Sequence, residues 1–329
     1  MILVLALPVT AWAQNPPEPV CNASFTSATT IGRMADVVAH GRFVDYTPIS
    51  LQVIDGRSTK ADPASIREDL KALRPKFDGL ITYSAVNGAE AIPGIAASLG
   101  YRAMIIGVWD PFNDDEVNAA LEQARRYPKL VAGLSLGNEI LFAGRHELPE
   151  LVAAIAAVHR RAPQLPLSTT EPFHIFDTDR AKPLLGQLDF LLPNIHPVFQ
   201  PWFKDAPDAN AATFVVNVVN NLALRFCGLI LVKEVGEPTL PAAEGFSPQR
   251  QESFFAELRK QFPRQRMKGF AYFAAFDAPW RAYDELAVPP AQRRSGAQRA
   301  STHEEEAHWG LYDEHRNPKP ATAALPLLK

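Results

Sequence analysis

Apolar residues gather along this chain in short unbroken runs rather than in alternation with polar ones. In order they are Arg42–Tyr46, Gly79–Tyr83, Ala103–Val108, Val131–Leu136, Leu167–Thr170, Phe190–Ile195, Leu229–Lys233 and Gly269–Phe273. Runs of this kind suit strands buried on both faces, as in a parallel sheet. Between them the apolar positions switch to helical spacing. Asp62-Pro63 offers an N-cap and a first-turn proline, followed by Ile66, Leu70 and Leu73. Asn113 and Asp114 open a second helix whose Val117, Ala120, Leu121 and Ala124 face inward, and Glu147–Arg161 and Pro248–Phe262 repeat the pattern. Strand and helix alternating eight times predict the α/β class and a single-domain (β/α)8 TIM barrel. A doubly wound open sheet is the structural competitor. The polar, aperiodic stretch from Ser295 to Glu306 reads as a loop.

The first residues read differently. Met1 to Ala11 is mostly apolar and Ala11-Trp12-Ala13 has the A-x-A form of a cleavage site, although no Lys or Arg precedes the run. We expect a signal peptide at 1–13, an extended N-terminal segment at 14–35 and the barrel at 36–329, with export to the periplasm or the exterior. A buried N-terminal strand is the alternative for the leader. The run is too short for an ordinary membrane span, and no other stretch approaches that length. Export permits a disulfide between Cys21 and Cys227. Cys227, however, follows the core-like run Leu222–Phe226, where a free buried thiol is the expectation. Asn22-Ala23-Ser24 fits an N-glycosylation site, which has meaning only in a eukaryotic secretory route.

Composition narrows the function classes. Of 329 residues 47% are hydrophobic and 21% charged, enough for one large core. The formal net charge is −3, and Arg293-Arg294 with Arg299 is no basic stripe, so nucleic acid is not expected as a partner. A weakly charged enzyme fits a neutral polar substrate. No phosphate-binding glycine loop is evident and no cofactor is expected. His303 and His308 stand five apart rather than four, so they do not share a helix face as a zinc pair would, and no metal is expected. Gly133-Leu134-Ser135-Leu136-Gly137 matches the esterase elbow, but Ser135 lies inside a strand run rather than on a turn.

In a β/α barrel the chemistry sits where strands end at the C-terminal face. Strand four ends in Gly137-Asn138-Glu139 and strand seven in Lys233-Glu234-Val235-Gly236. Strand six ends in Asn194-Ile195-His196-Pro197, strand eight in Phe276-Asp277-Ala278-Pro279-Trp280, and strand three in Trp109-Asp110. Strands one and two end in Tyr46 and Tyr83. Glutamates on strands four and seven face each other across the mouth. Glycosidic cleavage needs two such carboxyls, one to protonate the leaving oxygen and one to attack the anomeric carbon or direct water at it. Their environments must push their pKa values apart. A lone strand-end glutamate would more simply cap a helix or pair with a lysine.

Four segments carry a family resemblance. Gly137-Asn138-Glu139 resembles the acid/base segment of glycoside hydrolase family 17, and Val232–Thr239 its nucleophile segment E-x-G-W-P-S/T. Phe276–Arg281 resembles the F-D-E-P-W-K of bacterial members, and Ala307–Asp313 with Lys319-Pro320 their closing segment. The similarity runs in order from about Tyr46 to Lys319. It implies a retaining hydrolase of β-glucan, β-1,3-linked, with Glu139 as acid/base and Glu234 as nucleophile. It implies further that Asn138 bonds the 2-hydroxyl of the sugar being cleaved, that His196 lines the site, and that Trp280 is a sugar platform, barrel-rim packing being the plain alternative. Tyr46, Tyr83, Trp109 and Asp277 are the remaining candidate substrate-binding residues. The expected partner is a β-glucan or β-gluco-oligosaccharide, and the expected state a monomer. A transglycosylase using the same residues, or a non-catalytic glucan-binding barrel, is the alternative. Three departures bear on this: Glu237 stands where the family has tryptophan, and Ala274 and Ala278 where it has acids.

Overall fold

The structure, a computed structural model, describes residues 18–21, 28–54, 57–262, 265–283 and 303–328. The expected signal peptide, Asn22 and residues 295–302 lie outside these.

Eight parallel strands close into a barrel in which each pairs with its sequence neighbours. They are β1 (Phe43–Asp45), β2 (Gly79–Ile81), β3 (Ala103–Val108), β4 (Val131–Asn138), β5 (Leu167–Pro172), β6 (Phe190–Asn194), β7 (Leu229–Val232) and β8 (Lys268–Tyr272). Closure is explicit in the register, because Phe43 of β1 pairs with both Gly79 of β2 and Ala271 of β8. All eight expected runs are strands, and the open-sheet alternative is excluded.

Parity sorts the strand side chains into two cores. Phe43, Ile81, Ala103, Ile105, Phe190, Leu192, Leu229 and Leu231 share one buried cluster inside the barrel. Val44, Leu80, Met104, Ile106, Leu191 and Ile230 belong to the other, beneath the helices. Successive residues of a strand point to opposite faces, so a run apolar throughout feeds both layers.

Helix α1 (Ala28–His40) closes the N-terminal end, burying Met34, Ala35 and Val37 in the inner cluster. Residues 28–35 are thus helical, and the apolar stripe of α1 seals the inner core. Helices α2 (Pro63–Leu73), α3 (Ile92–Ser98), α4 (Asp114–Arg126) and α5 (Leu148–Arg161) follow β1 to β4 in turn. The short α6 (Phe173–Phe176) and α7 (Lys182–Leu185), then α8 (Asp208–Leu222), α9 (Pro248–Gln261) and α10 (Pro320–Ala323), complete the outer ring. The predicted caps form. Asp62 accepts from the Ser65 amide, Asn113 from those of Asp115 and Glu116, and Glu147 builds a capping box with Glu150. A small antiparallel hairpin, Val53–Ile54 against Arg57–Ser58, lies outside the barrel.

The cysteines depart from expectation. Cys21 and Cys227 form a disulfide, and both residues are exposed. The run before Cys227 misled because it is the turn that follows α8 at Leu222, in which Leu222 and Phe226 are buried but Cys227 has already reached the surface. Val20 pairs with Phe226 beside the bridge.

Candidate active site

At the C-terminal mouth a cleft of about 530 Å³ is walled by Asn138, Glu139, Asn194, His196, Glu234 and Arg281, with Trp109, Phe142, Phe173, Phe199 and Trp309 around them. A second cavity of about 460 Å³ lies at the opposite end of the barrel, between α1, α4 and α5, and its lining contains no carboxylate.

Strand β4 delivers Glu139 by a local distortion. Its register against β5 shifts between Ser135 and Asn138. Gly137 takes φ of 94°, and a side chain there would drive Cβ to 2.6 Å from Ile140. Glu139 follows with φ of 55°, a left-handed conformation that non-glycine residues seldom adopt. A bulge of this kind re-aims the side chains beyond it. Here it turns Asn138 and Glu139 to the cleft while the Glu139 amide still bonds Thr170 on β5. Ser135, before the bulge, is buried against Thr170 at 2.9 Å and is a packed strand residue, not a nucleophile on an elbow.

Strand β7 delivers Lys233 and Glu234. Lys233 continues the inward parity of Leu229 and Leu231. Its Nζ donates to Asn138 Oδ1 at 2.6 Å, lies 3.3 Å from Glu234 Oε1, and sits 3.9 Å from the centre of the Tyr83 ring. The Tyr83 hydroxyl donates to Glu234 Oε1 at 2.9 Å, and His196 Nε2 lies 3.4 Å from Glu234 Oε2. Across the mouth the Asn194 amide donates to Glu139 Oε1 at 2.8 Å.

These surroundings drive the two carboxyls apart. Burial raises the Glu139 pKa, and the negative charge of Glu234 raises it further; the Asn194 bond, His196 and Lys233 oppose this without cancelling it. Burial alone would raise Glu234 too. The charge of Lys233, the bond and charge of His196, and Arg281 outweigh it and hold the group at about 2. One carboxyl therefore favours its proton and the other its charge. Below them Asp45, inward on β1 and fully buried, is pushed well above its usual range by burial, against the pull of Lys233. Glu171, at the end of β5, accepts from the Leu141 and Phe142 amides and pins the loop that follows Glu139; burial lifts it to about 7.

The remaining candidates divide. Tyr83, Trp109 and His196 stand with Asn138 and the two glutamates in the site. Tyr46 does not: it is fully buried, its hydroxyl donating to Asp69 Oδ2 at 2.8 Å, because the chain after β1 turns its ring down among the helices. Asp277 is likewise structural, bonding Lys319 Nζ at 2.7 Å and the Gly310 amide at 2.8 Å. Trp280 packs at the rim and lines a separate depression with Ile49, Gln52 and Phe276, not the cleft. None of the three departures lines the cleft. Ala278 belongs to that depression, Ala274 is absent from the cleft lining, and Glu237 is fully buried. Histidines 303 and 308 pair separately with Glu305 and Asp277. Among the described residues no group of three or more His, Cys, Asp or Glu could hold a metal.

Lys233, Asn194, Arg281 and, of the aromatic rim, Phe142, Phe173 and Phe199 were not among the sequence candidates. Lys233 could have been found by parity, as the first charged residue of an inward series. Phe142, Phe173 and Phe199 had no signal, since they lie beyond the strand ends, where no period is repeated.

A β/α barrel whose mouth holds two carboxyls of opposed proton affinity has the architecture of a glycosidase. The chain belongs to the BtgE/BtgC glycoside hydrolase domain family, whose profile matches residues 44–290. It is also similar to a glucan 1,3-beta-glucosidase of Arthroderma benhamiae, 25% identical over 277 residues that make up 78% of this chain and 84% of the relative. Two solved structures share the fold. One is an active-site mutant of the Rhizomucor miehei beta-1,3-glucanosyltransferase in complex with laminaritriose, with TM-score 0.63, 22% identity and 85% and 96% of the two chains covered. The other is an endo-laminarinase from Formosa, with TM-score 0.64, 16% identity and 85% of each chain covered. The chain is thus a glycoside hydrolase of the family 17 type.

Proposed function

We propose that the chain acts on β-1,3-linked glucan with retention of configuration, through a covalent glycosyl-enzyme. The observation that carries this is the opposed charge preference of Glu139 and Glu234 in one cleft. Glu234, ionised, attacks the anomeric carbon while Glu139 gives its proton to the departing glycosidic oxygen. With the donor gone, Glu139 is a carboxylate and takes a proton from the incoming hydroxyl, which breaks the glycosyl–Glu234 bond. Asn138 offers a hydrogen bond to the 2-hydroxyl, where contacts strengthen in the transition state. The β-1,3 preference rests on what the named relatives act on.

Water or a second sugar can be the incoming group. Phe142 and Phe199 expose 57% and 61% of their surface at the cleft, and flat aromatic faces of this kind can seat an acceptor sugar, which favours transfer as the second reading. Export of a monomer is part of the proposal. The leader pattern and a disulfide between Cys21 and Cys227 support an oxidising compartment. No described helix is long and apolar enough to cross a membrane.

The test is incubation with laminaripentaose and, in parallel, a β-1,6-gluco-oligosaccharide. Proton NMR reads the first-formed anomer and chromatography the chain lengths. Initial β-product from the β-1,3 substrate is expected, with products longer than the substrate if a sugar is the acceptor. Initial α-product, or binding with neither release nor transfer, overturns the proposal.

A further inference from the structure

The ammonium of Lys233 is an unusual group to find beneath a carboxylate pair. Its side chain is 2% exposed, and burying a charge is costly unless it is closely partnered. It reaches across the barrel from the end of β7 to Asn138 on β4, at 2.6 Å, while staying 3.3 Å from Glu234 and over the Tyr83 ring. We infer that Lys233 is the positioning residue that joins the two walls of the site, fixing which way the Asn138 amide faces and holding Glu234 as the charged partner of its ammonium.

The amide half of this follows from donor chemistry. Lysine has three N–H donors and no acceptor, so only the oxygen of Asn138 can face it. The amide is then committed to offering its NH₂ elsewhere, and Asn138 lines the cleft. Without the ammonium the two ends of the amide are nearly equivalent in shape, and the donor is no longer assigned.

The charge half follows from the groups around Nζ. Asp45 on β1 and Glu139 on β4 feel its charge, the Tyr83 ring lies against it from beyond β2, and His196 and Arg281 act on the neighbouring Glu234. Burial favours the neutral form of Asp45 and of Glu139. Glu234 is the carboxylate within ion-pair distance of Nζ, at 3.3 Å. Removing the ammonium strips the buried Glu234 of its nearest positive charge, so the carboxyl takes up a proton and cannot attack. This last step rests on the reading of Glu234 as nucleophile; the geometry and the charge do not.

The experiment uses Lys233→Gln, Lys233→Met and Lys233→Arg in the full chain. The first keeps a donor for Asn138 without charge, the second keeps neither, and the third keeps the charge. Protein carrying ¹³C in the glutamate carboxyls is titrated by NMR without substrate, the Glu234 signal being identified by its loss in Glu234→Gln. In the wild type and in Lys233→Arg that signal stays at the carboxylate position through mild acid. In Lys233→Gln and Lys233→Met its midpoint rises by about one pH unit or more. The Gln and Arg pair decides the question should Lys233→Met fail to fold. A Glu234 signal that titrates alike in the wild type and the Gln variant overturns the inference.

A second measurement separates this from the functional reading. On an aryl β-laminarioside with an activated leaving group, kcat falls roughly 10²-fold in Lys233→Gln, and the acid limb of kcat/KM moves up in step with the NMR midpoint. A merely structural lysine would lower stability without moving that limb, and an unmoved limb counts against the inference. A wild type inert toward the glycoside, with the NMR shift intact, supports Lys233 as the charge-setting group and overturns the proposed function alone.

Discussion

Asn194 on β6 donates to Glu139 Oε1 on β4 at 2.8 Å, and in doing so it works against the burial that raises the Glu139 pKa. A bond to the ionised form lowers a carboxyl pKa, so Asn194→Ala should raise that of Glu139. Glu139 must hold its proton for the first step, and activity is lost as pH rises through its pKa. The alkaline limb of kcat/KM should therefore move to higher pH, by about one unit if the bond has the usual strength for a charged acceptor. The pH profile on an unactivated oligosaccharide checks this. A limb that stays put, or moves down, removes Glu139 from the role of acid.

The two glutamates should fail differently when truncated. Glu234→Ala should all but abolish turnover, since no glycosyl-enzyme can form, and azide or formate should then restore activity with inverted product by filling the space of the lost carboxylate. Glu139→Ala should lose about 10²–10⁴-fold on poor leaving groups and far less on activated aryl glycosides, which need little protonation. Azide should accelerate it with retained configuration, because azide needs no general base. Full activity in Glu234→Ala would end the mechanism.

Two aromatics make a paired prediction. Phe199 is 61% exposed in the cleft, edge-on to His196, whereas Trp280 lines the separate depression. Phe199→Ala should raise KM for laminari-oligosaccharides roughly tenfold, the size of one lost aromatic contact. Trp280→Ala should leave KM within about twofold and act instead on thermal stability, through its packing on the core. Steady-state kinetics on oligosaccharides of graded length distinguish the two, and equal effects would mean that the glucan crosses both surfaces.

The contrast between Phe199 and Trp280 marks how far the sequence could be read. Strands, helix starts and the positions of Glu139 and Glu234 follow from periodicity and from where runs end, because hydrogen-bonded ladders and buried faces repeat regularly. Which way a residue turns after the strand ends does not. Tyr46, Asp277 and Trp280 each occupy the right place along the chain, yet Asp69, Lys319 and the rim packing claim them. These competitors lie 23 residues from Tyr46 and 42 from Asp277, on elements that no local pattern brings together. Cys227 failed for the converse reason, a surface position just past an apolar helix and the turn that ends it.

The Cys21–Cys227 bridge spans 206 residues of sequence and ties the segment ahead of α1 to the end of α8. Cross-linking positions so far apart restricts the unfolded chain, a contribution typically of about 2–5 kcal/mol. Cys21→Ser with Cys227→Ser should lower the urea midpoint accordingly and leave kcat/KM nearly unchanged, since the bridge is remote from the mouth. A mass spectrum showing two free thiols in the oxidised, secreted protein would remove both the bridge and this argument for export.

Glu237 gives a dependence of stability on pH that lies away from the cleft. It is fully buried, and burial lifts its carboxyl from the ordinary 4.5 to about 8, against the charge of Arg250. Arg250 Nε lies 3.3 Å from Oε2, close enough for charge attraction, but neither atom has a directed hydrogen bond. Between pH 4.5 and 8 the folded chain keeps a proton that the unfolded chain has released. The unfolded state binds fewer protons there, so stability falls as pH rises through this window and levels off above it. The slope inside the window is at most about 1.36 kcal/mol for each step of one in pH. Glutamine has no proton to lose. Glu237→Gln should match the wild type near pH 4, where both side chains are neutral. At pH 9 it should be more stable, by an amount reduced where Arg250 loses the charge it pairs with, though Arg250 still meets Asp208 at 3.4 Å and the Phe203 ring at 4.1 Å. Urea unfolding at the two pH values measures the difference directly. Because Glu237 is absent from the cleft lining, kcat/KM should not change in either condition. Parallel stability curves for wild type and variant would mean that Glu237 is ionised throughout and that its pairing with Arg250 outweighs its burial.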